Sequence, residues 1–497
     1  MQNRIVVFFI FSLYLALHLY TLNLNPLPWF DETFFASISL SLAETGKLVP
    51  GVTKTIQEGR EMLIHGPVYY FLGGLSFEFF GLGIFQFRII NFLFGIGLVF
   101  ITARIFRNRY KDADVSLPVF LIATFLLDPF FNLSLHEGRM DLVAAFFVFT
   151  CIYLLLKGLE NKQIMYFLAS GLYGAMGLLT TPRVAFIFAA VFIVFLVLTF
   201  KRGGVKGLLQ ILLWGLPFVI LYGMWVWYAF GDFGGLISYY QSIATGKHTV
   251  DVTFIGGNLY IPRHEYLLIG VAGISLIYGL IREGFKFFDA LICISILSVV
   301  LFYLLVRDMG PYSALILPFY YIIIFKSFHL SGHLTLKNPV VYLMVVLFAF
   351  NAGFFLIKNI QVLFERLERN PEIAYSFIED HIPEGSKVVG DPLYYYAVKR
   401  SGSDYQYADL FGTLEEREQA LTEEWGYEYF IVTEQLRMRR PEVIRHFFEQ
   451  EDFVEVARLI SRQNPISRAI SRLGITSDME KDGYSAIIYR RKVAETP

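Results

Sequence analysis

The sequence predicts an all-α, multi-pass membrane protein of about eleven transmembrane helices with a small α/β domain appended to it. Three observations carry that prediction. Of the 497 residues, 55% are hydrophobic and 17% charged, and the mean hydropathy is +0.53, well above a soluble globular chain. Apolar runs of roughly 17–22 residues recur from the N-terminus to about residue 357, each able to cross a hydrocarbon core roughly 30 Å thick. After that point the composition turns charged, with short alternating stretches that read as strands. A formal net charge of −1, with no basic face outside the loops, argues against a nucleic-acid partner. The two cysteines, Cys151 and Cys293, sit inside apolar runs, where they say nothing about disulfides and no metal or redox role is expected.

Spans are expected near 5–22, 89–106, 115–132, 141–157, 164–180, 184–200, 207–230, 265–281, 288–306, 311–326 and 339–357. The first follows Arg4 and lacks a small-residue cleavage site behind it, so it reads as a retained anchor. Arg104, Arg107, Arg109 and Lys111 fall in one connection; Lys157 and Lys162, Lys201, Arg202 and Lys206, Arg282 and Lys286, and Lys326 and Lys337 fall in others of the same parity. Their positive charge places these connections, with the N-terminus, in the cytoplasm. The connections 23–88, 133–140 and 231–264 then face outward, as does everything after 357.

Within the first of these, 66–81 is apolar yet short and interrupted by Glu78. Laid across the membrane it would move the Arg-rich connection outside, so it reads as an amphipathic helix in the interface, with 32–45 as a second. No inverted repeat of the transporter kind is visible. The chain divides into a membrane unit, 1–357, and an extracytoplasmic α/β domain, 358–497. In the latter, "SKVVGD", "YEYFIVTE" and "YSAIIYRR" read as strands and 409–424 and 440–450 as helices. The amphipathic stretch 461–475 fits either a surface helix or membrane contact.

The residues able to do chemistry collect in the outward connections. "PWFDETFF" (28–35) sets Asp31 and Glu32 among aromatics beside the bilayer, where a carboxylate costs several kcal/mol to desolvate unless a partner or a wet cavity receives it. Two readings are open: the acids start the helix at 32–45, Asp31 as its cap and Glu32 at its positive end, or they do chemistry. In "LHEGRMDL" (135–142), Arg139 and Asp141 stand two apart. The guanidinium either pairs with that carboxylate or, oriented by it, takes a phosphate through two parallel hydrogen bonds. Arg183, in "LLTTPRVAF", ends a span on the same side and reads as a second phosphate contact or a snorkelling side chain. His65 in the first outward loop and His248 and His264 in the loop 231–264 are the weak candidates for a divalent metal, at a spacing that is not diagnostic. Asp112-Ala113-Asp114 spells a DxD but lies in a basic connection opposite the rest, and Asp128-Pro129 reads as the end of a helix. The C-terminal domain carries no Gly-rich phosphate loop, Cys/His cluster or nucleophile elbow.

Taken in order, these pieces resemble the polyprenol-phosphate-dependent glycosyltransferases of the GT-C fold, the group containing the protein O-mannosyltransferases and the aminoarabinose transferases of lipid A. The matching stretches are "FDETFFASISLSLAETGKLVP", "HGPVYYFLGGLSFEFFGLGIFQFRI" with its Arg88, and "RMDLVAAFFVFTCIYLL". Where many relatives carry Lys-Pro-Pro or His-Pro-Pro, this chain has His65-Gly66-Pro67, and the missing Lys leaves the phosphate to Arg139 or Arg183.

The resemblance implies transfer of a sugar, with inversion, from a polyprenyl-phosphate donor to an acceptor lipid, glycan or protein on the outer face of the cell membrane. It implies Asp31 as general base and Glu32 as the group that steadies the acceptor or a neighbouring side chain. Arg139, oriented by Asp141, Arg183 and His65 would bind the donor phosphate. This chemistry requires no cofactor, and a divalent metal stays open. Two other functions share the hydropathy: a lipid-linked glycan flippase, which needs polar residues along an intramembrane path, and a ligase using polyprenyl-diphosphate glycans.

Overall fold

The computed structural model describes residues 2–55, 61–112, 116–203, 205–247, 265–305, 312–331, 338–409, 414–461, 465–471 and 483–492. An apolar chain that must satisfy its own backbone hydrogen bonds in lipid forms helices, and these follow in order: α1 (Gln2–Thr21), α2 (Phe30–Thr45), α3 (Val68–Phe80), α4 (Ile84–Arg109), α5 (Ser116–Leu126), α6 (Pro129–His136), α7 (Asp141–Asn161), α8 (Ile164–Leu178), α9 (Ala185–Gly203), α10 (Val205–Phe230), α11 (Phe233–Lys247), α12 (Glu265–Glu283), α13 (Ala290–Leu305), α14 (Leu317–Leu330) and α15 (Pro339–Phe364). Six of them, α4, α7, α9, α10, α12 and α15, are long and apolar enough to cross a membrane. The pair α5 and α6 passes the same test only jointly, and the Phe8–Thr21 stretch of α1, with α8, α13 and α14, is apolar but shorter. Every expected span is thus met, in order, by a helix or a helix pair.

Three expectations need correction. The segment 115–132 is not one straight helix: it breaks between α5 and α6 with a bend of 61°. Pro129 cannot continue a helix through its missing N–H, and the Asp128 carboxylate restarts it by accepting from the N–H groups of Phe130 (2.9 Å) and Phe131 (3.0 Å). The span expected from 311 begins at Leu317, after a 3₁₀ turn over Ser313–Leu315. Finally α15 runs to Phe364, past the expected boundary at 357.

The C-terminal domain comprises α16 (Pro371–His381), β1 (Lys387–Gly390), α17 (Tyr395–Arg400), β2 (Asp404–Tyr407), α18 (Leu414–Gln419), β3 (Tyr429–Thr433), α19 (Glu434–Arg439), α20 (Pro441–Gln450), β4 (Phe453–Leu459), α21 (Pro465–Ser471) and β5 (Ala486–Arg491). The sheet order is β2-β1-β3-β5-β4. β1 runs parallel to both β2 and β3, while β5 is antiparallel to β3 and β4. The three expected strands are β1, β3 and β5. The two missed ones, β2 and β4, are the sheet's edges: β2 is only four residues long and β4 is largely exposed, so neither shows a clear alternation.

The domain does not stand apart. One continuous apolar core joins Phe34, Phe35, Tyr69 and Phe87 of the membrane unit to Tyr394, Tyr396, Tyr405, Tyr407 and Ile488 of the domain. A separate core covers the other face of the sheet around Phe430, Val432 and Phe447. At the far end of the bundle, Lys326 Nζ donates to the Phe287 carbonyl (2.6 Å) and to Asp289 (3.2 Å), knotting α14 to the start of α13.

Candidate active site

α2 opens at Phe30, with Trp29 as the extended residue before it and no side-chain cap. Asp31 is therefore inside the first turn and not the cap, and its carboxylate is directed elsewhere. Two acids in a first turn still suit the positive end of the helix dipole. Successive helical residues point about 100° apart, so Asp31 and Glu32 meet different surroundings.

Glu32 turns inward. It is 0% exposed, as is Arg88 of α4, and the two are locked by parallel bonds of 2.7 Å from Nε and Nη2 to the two carboxylate oxygens. Arg88 Nη1 also donates to the Leu22 carbonyl (2.8 Å), closing the entrance of the first connection. Burial holds the Glu32 carboxyl above its ordinary range, against the opposing pull of the Arg88 charge and hydrogen bonds. Removing one partner of such a pair typically costs about 3–5 kcal/mol, because the other charge is left buried alone.

Asp31 turns outward and is 26% exposed. Its carboxylate accepts from Arg139 Nη1, while Arg139 Nε donates to Asp141 at 2.9 Å. Arg139 thus bridges two carboxylates, one half-open and one buried. The loop that delivers it is held by Asn91 of α4, whose side-chain amide donates to the carbonyls of Glu137 and Arg139. Gly138 permits the approach: a Cβ there would overlap the Glu32 side chain and the Phe87 ring.

Arg183 lies within the 3₁₀ turn Pro182–Val184, capped by Thr181, whose hydroxyl accepts from the Arg183 N–H at 3.4 Å. Its guanidinium lies 4.0 Å from the ring centre of Tyr312, and that of Arg139 lies 5.0 Å from the same ring. Tyr312 therefore joins the two cations. Trp29 lies against Arg139 as well, at 5.5 Å. Among the described residues no carboxylate pairs with Arg183. Asp141 Oδ1 and Trp29 Nε1 are buried without a hydrogen-bond partner among those residues, so the cluster retains unmet polar capacity.

His65 is buried at 4% exposure, with its ring edge-on to Phe35 at 5.8 Å. The glycine that follows it has a steric origin. A Cβ at Gly66 would overlap the Leu179 carbonyl, which accepts from the Val68 N–H at 3.2 Å. This close approach docks α3 beside the loop that carries Arg183. His248 and His264 lie outside the described residues, within which no group of three or more His, Cys, Asp or Glu is placed to hold a metal. Asp112 ends the described part of its connection, and Asp114 lies outside it.

Of the residues expected in the site, Asp31, Arg139 and Asp141 form one chain of contacts, which Tyr312 extends to Arg183. Tyr312 carried no signal in the sequence beyond being an aromatic at the start of the span expected over 311–326. Arg88 was visible within a matching stretch, but its partner, 56 positions away, was not.

Residues 64–227 match the sequence family described as dolichyl-phosphate-mannose-protein mannosyltransferase. That range contains His65, Arg88, Arg139, Asp141 and Arg183, and neither Asp31 nor Tyr312. Comparison with curated proteins found no match. Among solved structures, ArnT from Cupriavidus metallidurans bound to undecaprenyl phosphate aligns with a TM-score of 0.64 at 13% identity, covering 100% of this chain and 99% of that one. Its apo state gives 0.60 at 13% identity, covering 99% and 98%. At such identity the likeness speaks for the fold. The chain is a multi-pass membrane protein of the GT-C, ArnT-like fold, whose central segment carries the sequence pattern of the mannosyltransferase family.

Proposed function

We propose that the protein transfers a sugar from a polyprenyl-phosphate donor to an acceptor hydroxyl or other nucleophile at the outer face of the membrane, with inversion and with Asp31 as general base. The observation that carries this reading is the convergence of one half-exposed carboxylate with two arginines on Tyr312. A base and a cationic phosphate seat are the two things such a reaction needs. The ArnT structure of the same fold holds undecaprenyl phosphate, which supports a lipid-phosphate donor. The isoprenoid tail would stay in the bilayer while its head reaches the arginines.

In the step itself, the acceptor oxygen or nitrogen bonds to the sugar's anomeric carbon as the bond from that carbon to the phosphate oxygen breaks. The electron pair leaves with the polyprenyl phosphate, and the acceptor proton goes to Asp31. A single displacement inverts the anomeric centre. Arg183 and Arg139 stabilise the negative charge growing on the phosphate, which is where fixed cations contribute most. Asp141 holds Arg139 through Nε, so the rest of the fork can turn from Asp31 to the phosphate. Donor binding then frees Asp31 from its ion pair at the moment a base is needed. Glu32 acts at one remove, by fixing α2 on Arg88. No step is routed through a metal.

The test is incubation of purified protein in lipid with polyprenyl-phosphate sugars and, separately, with polyprenyl-diphosphate glycans, reading the released lipid by mass spectrometry. Release of polyprenyl phosphate from monophosphate donors, dependent on acceptor, is the expected result. Release only from diphosphate donors would make the protein a ligase, and release from neither would remove the enzymatic reading.

A further inference from the structure

The C-terminal domain meets the first connection of the membrane unit along one edge of its sheet as well as through Tyr394 and Tyr396. β2 is that edge, and three of its features point at the segment that carries Asp31. Tyr407, buried at the end of β2, hydrogen-bonds through its hydroxyl to that of Thr33, itself fully buried in the first turns of α2. Its ring lies 5.8 Å from that of Phe30. The preceding residue, Gln406, bonds to Thr55 in both directions: its Oε1 accepts from the Thr55 N–H (3.1 Å) and its Nε2 donates to the Thr55 hydroxyl (2.6 Å).

The direction of the hydroxyl bond can be worked out. Thr33 Oγ1 also lies 3.0 Å from the Trp29 carbonyl, which can only accept. The single Thr33 proton therefore goes to Trp29, and Tyr407 donates to Thr33. The result is a directed chain from the sheet to the Thr33 hydroxyl and on to the carbonyl of Trp29. Trp29 starts α2 and lies against Arg139, and Asp31 stands between the two anchored residues.

We infer that the C-terminal domain is a positioning element of the active site, with Tyr407 as the positioning residue: its bond to Thr33 sets the first turn of α2 and with it the aim of Asp31. This rests on Asp31 being the base. Tyr407 itself touches neither substrate nor reacting atoms. The shared apolar core between α2, α3 and the domain supplies the adhesion, and the Tyr407–Thr33–Trp29 chain supplies direction, since apolar contact alone leaves a helix free to rotate by a fraction of a turn.

The experiment uses the full chain with Tyr407→Phe, Thr33→Val and both together, each assayed with a polyprenyl-phosphate sugar and examined by amide hydrogen exchange. Each single change is expected to lower kcat about tenfold with the donor KM unchanged, as for a small misplacement of a catalytic group. The double variant should be no worse than the poorer single, because both remove the same bond. Exchange should speed up in the first turns of α2 and stay unchanged in β3 and α16. Unchanged kcat in Tyr407→Phe overturns the inference, and so does a drop in kcat with unchanged exchange in α2. If Tyr407→Phe does not fold, Thr33→Val tests the bond from the other side. Absence of turnover in the unmodified chain would count against sugar transfer, while the exchange measurement still decides whether Tyr407 holds α2.

Discussion

Asp31 and Glu32 are neighbours in the chain, and each pairs with an arginine, yet the two pairs are built to opposite ends. The Glu32–Arg88 pair is sealed: both side chains are inaccessible, both carboxylate oxygens are taken, and Arg88 spends a further donor on a backbone carbonyl. The Asp31–Arg139 pair is open at one end, shared with a second carboxylate, and backed by aromatic faces in place of further hydrogen bonds to the guanidinium. A fully satisfied pair resists exchange of partners, because any alternative leaves a buried charge uncovered. A half-exposed pair sharing its arginine can exchange a carboxylate for a phosphate at little cost. The difference separates a sealed bolt from a pair free to exchange partners on consecutive residues of one helix.

The strongest way to break this comparison is Asp31→Asn. Turnover should fall by about 10²–10⁴-fold, the usual contribution of a positioned base, with the melting temperature in detergent barely altered. A variant retaining full turnover would remove Asp31 from the role of base.

Next comes the sealed pair. Glu32→Gln or Arg88→Met should each cost about 3–5 kcal/mol of stability, measured by thermal or denaturant unfolding. The paired change Glu32→Leu with Arg88→Met should recover much of that loss. If the single changes are tolerated without loss of stability, the pair is no bolt.

A third buried acid sharpens the contrast. Asp391 accepts from the Thr433 hydroxyl and from the Leu393 N–H (3.0 Å), but forms no ion pair among the described residues. Burial pushes it up to about 6 from an ordinary 3.8. The sign follows from proton binding: between those values the folded state holds a proton that the unfolded state has released. The associated stability is present at pH 4 and lost as pH rises through 6, by up to about 3 kcal/mol. Asp391→Asn should flatten that slope in unfolding measured across pH 4 to 7, and an unchanged slope would show that the shift is absent.

The smallest effect belongs to the uncommitted cation. Arg183→Gln should raise the donor KM about tenfold, equivalent to one charge-assisted contact of about 1.4 kcal/mol, with little change in stability. Equal affinity in the variant would leave the phosphate to Arg139.

Much of the fold was legible in the sequence. A helix or helix pair for each expected span, helices over the two stretches read as interfacial, and the three central strands appear where hydropathy and alternation placed them. The break at Asp128-Pro129 was legible as a helix end but not as a bend inside a span, since the same residues serve either purpose until the next helix is packed. Of the candidate site, Asp31, Arg139, Asp141 and Arg183 were singled out through their order in the chain and the family resemblance, and the fold brings them together. Tyr312, the role of Arg88 and the reach of Tyr407 onto α2 were not, because contacts across 56 or 374 positions leave no local pattern.

The membrane class, the order of helices and the residue types available near the loops follow from residue order. Those depend on local sums: hydrophobicity over a span, alternation over a strand, charge over a loop. Packing across distant segments set which of two adjacent acids is sealed and which stays open, and which aromatic joins the arginines. It also decided that the last domain holds the first helix after the anchor. These depend on the rotation of α2 about its axis, and that rotation is set jointly by Arg88 on one side and the sheet edge at Tyr407 on the other.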